Sequence, residues 1–208
     1  MHFPKQRSGP AIDLHQLDAV LGNEYGVPMH WKQLIAAERS KMRRLLYDSD
    51  DLSVYRNQDV LDYGGGSSLR YQPWFSRILG LLGARATCVD SGPPTATPEP
   101  FDYYQLDLRT PSVLRVLPGA SFDLITNNSF LSPPGAVPDN TEPDLIAGMS
   151  DAQVDQLRAD LLAETERLLR EGGTYLYDQE VLSKQGGVLV SEGSLQDRFR
   201  RWLAQQKP

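Results

Sequence analysis

Three consecutive glycines, Gly64-Gly65-Gly66, follow directly on the apolar run Val60-Leu61-Asp62-Tyr63, and two more short apolar runs end in Asp90 and Asp107. Glycines at the end of a strand let the backbone turn sharply and let a ligand approach where a Cβ would otherwise stand. A tight turn with no ligand is the plainer alternative. The dinucleotide-binding pattern wants glycine first, third and sixth, the last being Gly or Ala so that helix and strand pack closely. Positions 64 and 66 fit that pattern, but the sixth position is Leu69. Asp62, two residues before the first glycine, would face an anionic pyrophosphate unfavourably and a cationic ligand favourably. A carboxylate offers two acceptor oxygens, which suits a strand-end aspartate to the paired hydroxyls of a ribose.

These residues need a scaffold that brings strand ends together, and the chain supplies one. The pattern predicts helices over 11–22 and 30–47, the second with Trp31, Leu34, Ile35, Met42, Leu45 and Leu46 at helical spacing. Short apolar runs then alternate with helices. Strands are expected at Val60–Tyr63, Ala86–Val89, Tyr103–Leu106, Phe122–Thr126 and Thr174–Tyr177, with one more candidate at Val188–Val190. Helices are expected near 72–82, 111–117, 151–170 and 195–204. Arg170-Glu171-Gly172-Gly173 reads as a helix stop, with cationic charge followed by C-terminal glycine. Such alternation implies a Rossmann-like, doubly wound α/β fold, its mostly parallel sheet covered by helices on both faces. The expected organisation is a flexible tail over 1–10, a helical cap over 11–56 and a ligand-binding domain over 57–208, all in one globular unit.

Val60-Leu61-Asp62-Tyr63-Gly64-Gly65-Gly66 resembles the first motif of the class I S-adenosylmethionine-dependent methyltransferases. There, an apolar pair, an acid and a glycine-rich turn cradle the methionine part of the cofactor. The resemblance extends across residues 57–178. It implies that Asp90 binds both ribose hydroxyls, with Ser91 beside it, and that Asp107 receives the adenine amino group while Leu108 packs on the ring. Ser121-Phe122-Asp123-Leu124-Ile125-Thr126-Asn127-Asn128 is similar to the family's fourth strand, and Leu168-Leu169-Arg170-Glu171-Gly172-Gly173-Thr174-Tyr175-Leu176 to its fifth. The implied cofactor is S-adenosyl-L-methionine, held by Asp62, Gly64, Gly65, Gly66, Ser67, Asp90, Ser91, Asp107, Leu108 and Asn127. Two departures stand out. Ser68 replaces the usual third glycine of the turn, and only residues 179–208 follow the fifth strand, implying a shortened C-terminal strand region.

The implied activity is methyl transfer to a small-molecule acceptor at oxygen or nitrogen. Cyclisation, pericyclic or hydrolytic chemistry on the same fold, or a non-catalytic cofactor-binding module, are the alternatives. In-line transfer depends mainly on holding the acceptor close to the methyl group, so a general base need not be conspicuous. Asn127 and Asn128, just past the fourth strand, and His30 on the N-terminal helices are the acceptor-side candidates. His15 has the same placement as His30, and His2 falls in the tail. Tyr25, Trp31, Tyr47, Tyr71 and Trp74 suit either an aromatic acceptor pocket or plain core packing. Residues 128–148 are rich in Pro, Gly and Asn and too long for an ordinary connection; the resemblance sets this region beside the acceptor pocket and implies a lid or substrate loop, with a surface insertion as the plainer alternative.

Composition narrows the partners. A formal net charge of −6 disfavours nucleic acid, and Lys41, Arg43 and Arg44 suit a solvated helix face. The single cysteine, Cys88, sits in an apolar run and suits a buried strand position; no metal site is expected. No apolar stretch is long enough for a membrane span and no secretory leader precedes the fold, so a reducing cytoplasm is the expected compartment.

Overall fold

A computed structural model of the chain describes residues 1–5, 52–67, 72–127, 148–177 and 180–205, with positions 11, 16, 17, 19–21 and 146 besides. Eight strands among these residues form one sheet: β1 (His2–Phe3), β2 (Asp59–Tyr63), β3 (Arg85–Asp90), β4 (Asp102–Gln105), β5 (Phe122–Asn127), β6 (Leu169–Tyr177), β7 (Glu180–Gln185) and β8 (Val188–Ser194). Their order is β1-β4-β3-β2-β5-β6-β7-β8. The five strands from β4 to β6 run parallel; β1 is antiparallel to β4, β7 to β6, and β8 to β7. The chain builds outward from β2 to β4, then returns to start again at β5 beside β2. That reversal opens a crevice at the carboxyl ends of β2 and β5.

Helix α1 (Trp74–Leu81) links β2 to β3, and α2 (Asp151–Leu168) precedes β6. They pack on opposite faces of the sheet. On one face α1 joins Val60, Ala86, Cys88, Leu124 and Leu176; on the other α2 joins Leu61, Ile125 and Tyr175. Almost every residue of α1 is buried, Ser76 and Arg77 included, so this helix has no solvated face to speak of. It ends at Gly83 (φ +95°), where Ala84 N–H donates to Leu79 C=O and Gly83 N–H to Gly80 C=O, a Schellman ending. Helix α2 begins with a reciprocal cap, Gln153 N–H to Ser150 Oγ and Ser150 N–H to Gln153 Oε1. Its row Leu157, Leu161 and Leu168 supplies the buried stripe. Of the N-terminal segment, residues 16–17 and 19–21 are helical, and Leu17 and Leu21, one turn apart, enter the α1 core. At the other end of the expected cap, Leu52–Tyr55 form a 3-10 turn whose Tyr55 is buried in the same core; most of the stretch between lies outside the described residues.

Three expectations are corrected. Residues 1–5 are not a free tail: His2 and Phe3 pair with Tyr104 and Tyr103, and Lys5 N–H donates to Asp102 Oδ1 at 2.9 Å. The supposed helix stop lies inside β6. Arg170 reaches Asp59 and Asp123 at 2.7 Å each, and the glycines make room for an irregularity in β6, since a Cβ on Gly173 would stand 2.9 Å from Arg170 C=O. The C-terminal region holds two strands, where one candidate was expected. Gly186-Gly187 (φ +61° and +87°) forms a two-residue hairpin turn between β7 and β8. Helix α3 (Leu195–Gln205) follows. No helix among the described residues is long and apolar enough to cross a membrane.

Candidate functional site

At the crevice, β2 and β5 place Asp62 beside Thr126 and Tyr63 beside Asn127. Asp62 is 1% exposed, and its carboxylate accepts from Thr126 Oγ1 at 2.7 Å and from Ser76 Oγ of α1 at 3.0 Å. Direct contact with a cationic ligand, the expectation from sequence, is thus replaced by a position beneath the turn. The glycines show why. A Cβ on Gly65 would stand 2.5 Å from Asp62 Oδ2 and 2.8 Å from Cys88 Sγ. The protein's own buried groups, not a ligand, forbid a side chain at Gly65. Gly64 (φ +60°) and Gly66 (φ +115°) adopt backbone that other residues rarely tolerate, and Gly64 N–H donates to Val89 C=O at 2.8 Å. Burial pushes the Cys88 thiol well up, aided by the nearby Asp62 and Asp90 charges, so it is an inert packing group.

Asp90 closes β3 and joins two loops. Its Oδ2 accepts from Gly66 N–H at 3.2 Å and its Oδ1 from Gly92 N–H at 2.8 Å. Gly92 in turn lies on buried Ser67, whose Oγ would be 2.3 Å from a Cβ there, and its carbonyl accepts from Tyr103 OH at 2.9 Å. Ser91 C=O accepts from Gln105 Nε2 at 3.2 Å. A carboxylate has about four acceptor directions; two of Asp90's are used by these amides, leaving capacity for a pair of hydroxyls.

Beyond β4, Asp107 is half-exposed and accepts from Arg109 through both oxygens, the shortest contact being 2.6 Å. The guanidinium holds its carboxyl below the ordinary range. Leu108 is 1% exposed in the α2-side core. Its side chain therefore packs against protein, where a ring contact with adenine was expected: the alternation that leaves Asp107 outside turns Leu108 inward.

On the acceptor side, Asn127 ends β5 fully buried. Its Nδ2 donates to Tyr175 OH at 3.3 Å, while its Oδ1 has no hydrogen-bond partner among the described residues. The Tyr175 ring in turn neighbours those of Tyr63 and Tyr177, with centroids 6.4 and 6.0 Å away. Burial pushes the Tyr63 hydroxyl up, and Thr165 Oγ1 donates to it at 3.3 Å. The tyrosines on β2 and β6 were not singled out from sequence; the signal was their place at or near strand ends flanking Asn127. Asn128, His15, His30, Tyr25, Trp31, Tyr47, Tyr71 and nearly all of 128–148 lie outside the described residues. His2 stacks on Tyr104 at 4.3 Å on the sheet edge, and Trp74 is buried in α1 beneath the Arg77 guanidinium.

Several solved methyltransferase structures are similar to this chain. The phosphoethanolamine N-methyltransferase 2 of Haemonchus contortus, in complex with phosphomonomethylethanolamine and S-adenosylhomocysteine, is 14% identical over 78% of the chain and 31% of its own, with a TM-score of 0.41. The magnesium protoporphyrin IX methyltransferase of Synechocystis PCC 6803, with bound S-adenosylhomocysteine, is 13% identical over 82% of the chain and 61% of its own, with a TM-score of 0.37. A CurJ carbon methyltransferase is 16% identical over 68% and 35%, with a TM-score of 0.38. The chain spans between 31% and 65% of the structures it resembles. No family model and no curated protein matches it.

Proposed function

We propose that this chain binds S-adenosyl-L-methionine across the carboxyl ends of β2, β3 and β4 and transfers its methyl group to oxygen or nitrogen of a small-molecule acceptor. The observation that carries this reading is Asp90. Its carboxylate sits at a strand end beside a glycine turn, oriented by two backbone amides and with acceptor capacity remaining. The surroundings fit the charge of the cofactor. Asp62 and Asp90 are answered by hydroxyl and amide donors in the contacts described above, so the site keeps a negative field that favours a sulfonium and disfavours a pyrophosphate.

When bound, the cofactor supplies an electrophilic methyl group on a cationic sulfur. The protein's part is placement. The Asp90 carboxylate would hold the ribose hydroxyls, the Gly64–Gly66 turn would let the ligand approach the backbone, and Asp107 would exchange Arg109 for an adenine amino group. Asn127 Oδ1, held by the Nδ2 contact to Tyr175, is as buried as Asp62 and Leu108 and would accept a hydrogen bond from the N–H or O–H of the acceptor only once uncovered. Residues 128–148 leave from that same strand end, which supports their role as the cover of the acceptor.

Titration calorimetry with S-adenosylhomocysteine, S-adenosylmethionine and NAD tests the cofactor. Heat with the first two and none with NAD is expected, with the fold stabilised by about 2.7 kcal/mol at a hundredfold excess over Kd. Heat with NAD alone overturns the reading. Methyl-labelled cofactor offered to a panel of phenols, carboxylic acids and amines then tests transfer.

A further inference from the structure

Helix α1 carries two neighbouring polar side chains, Ser76 and Arg77, that are 0% and 1% exposed. Burying a guanidinium is costly unless it is paired and fully hydrogen-bonded, so its contacts have to justify its place. Arg77 Nε donates to Glu99 Oε2 at 2.9 Å, its second terminal nitrogen donates to Glu99 Oε1, and its first donates to Gln72 Oε1 at 3.0 Å. The guanidinium carbon lies 4.4 Å from the centre of the Trp74 ring. Glu99, 8% exposed, also accepts from Thr95 Oγ1 at 2.5 Å. The proline-rich stretch from Gly92 to Pro100 is thereby tied to α1, and its end packs closely on the helix at Gly80, where a Cβ would stand 2.5 Å from Pro100 C=O.

The other end of that stretch is Gly92, whose N–H fixes Asp90 Oδ1. Ser76, one residue before Arg77, donates to Asp62, the carboxylate that underlies the glycine turn. Two consecutive residues of one buried helix thus anchor the root of the first loop and the far end of the second. Asp90 bridges the two loops through Gly66 and Gly92. We propose that Ser76 and Arg77, with Glu99 and Thr95, are positioning residues that set the distance between the two cofactor loops. The proposal rests on the reading that these loops bind S-adenosylmethionine. The helix fixes the loops as a pair, so weakening either tie lets the Asp90 carboxylate turn away from the glycine turn and lowers affinity without loss of a direct ligand contact.

The test is calorimetry with S-adenosylhomocysteine and with adenosine on the full chain, well below its melting temperature. Thr95→Val keeps the Arg77–Glu99 pair and removes only the hydrogen bond by which the middle of the loop reaches it; Arg77→Leu with Glu99→Leu removes the pair together, which leaves no unpaired buried charge. Thr95→Val should bind the two ligands about tenfold more weakly, the effect of losing one buried hydrogen bond, and the double variant, which also loses the pair's own bonds, more weakly still. Leu161→Ala, a truncation in the α2-side core, should lower the melting temperature and leave both affinities unchanged. That separates positioning from general loss of stability. Should the double variant fail to fold, Thr95→Val decides alone. Parent-like affinity in Thr95→Val, or equal weakening by Leu161→Ala, overturns the positioning role. A parent chain that binds neither ligand overturns the cofactor reading itself, and the positioning role with it.

Discussion

The two ends of the parallel strands use their carboxylates in opposite ways. At the amino end, Asp59 and Asp123 meet guanidinium groups: Arg85 reaches Asp59 at 2.6 Å, and Arg170 bridges both acids at 2.7 Å. Asp123 also accepts from Asp59 N–H at 2.8 Å. At the carboxyl end, Asp62 and Asp90 are held by hydroxyls and backbone amides, which orient a carboxylate without cancelling its charge. One end spends its acids on joining β2, β3, β5 and β6; the other keeps its negative field for something that arrives from outside. The exception is instructive. Asp107, farthest from the crevice, does carry an arginine, but it is a half-exposed pair between near neighbours, easily exchanged.

The largest effect expected from breaking this contrast is at Gly65. Gly65→Ala forces a methyl group against Asp62 and Cys88 and should cost about 3 kcal/mol, at the upper end for overpacking, lowering Tm on the order of 10 °C. Thermal unfolding followed by circular dichroism measures it, and an unchanged Tm would mean the turn adapts freely. Asp90→Asn keeps one acceptor for the loop amides but loses the charge and half the oxygens. Binding of S-adenosylhomocysteine should weaken by roughly 1.5–3 kcal/mol, with a smaller change in Tm. The same affinity as the parent would make Asp90 a loop tie alone.

At the amino end the outcome should be the reverse. Arg170→Met should lower Tm by less than Gly65→Ala and leave cofactor affinity unchanged, and 0.5 M salt should shrink its effect. Arg85 first, and Arg170 after it, hold Asp59 below the ordinary carboxylate value. A carboxyl with a depressed folded pKa adds stability above its unfolded pKa, and that stability is lost as pH falls through the folded value. The parent should thus lose stability in acid below the ordinary carboxylate range, and Arg170→Met should flatten that slope. The smallest effect is at Arg109. Arg109→Ala frees Asp107 and should tighten cofactor binding by about twofold, as an exposed pair allows, with Tm unmoved.

Residue types and spacing alone determined the alternation of strands and helices, the glycine turn after β2, and the acids at the ends of β3 and beyond β4, because strand length and punctuation are local properties of the chain. They also contained the β7–β8 hairpin, as Gly-Gly between Glu180–Gln185 and Val188–Ser194, although Val181 and Ser183 are too few buried positions to stand out as a strand. Which acids would be free to meet a ligand was not a local property. Asp62 and Asp90 look alike in sequence, yet one is buried under Ser76 and Thr126 while the other keeps open acceptor directions. That difference arises from α1 packing on β2 and from β5 pairing with it, through contacts between residues 14 and 64 positions apart. The same holds for Arg77 and Glu99, two ordinary charges in the sequence that tertiary packing turns into a buried strut. It holds for Leu108 too, which the fold turns into the core. Local pattern fixes where a strand ends; only the neighbours brought by the fold decide what its last side chain faces.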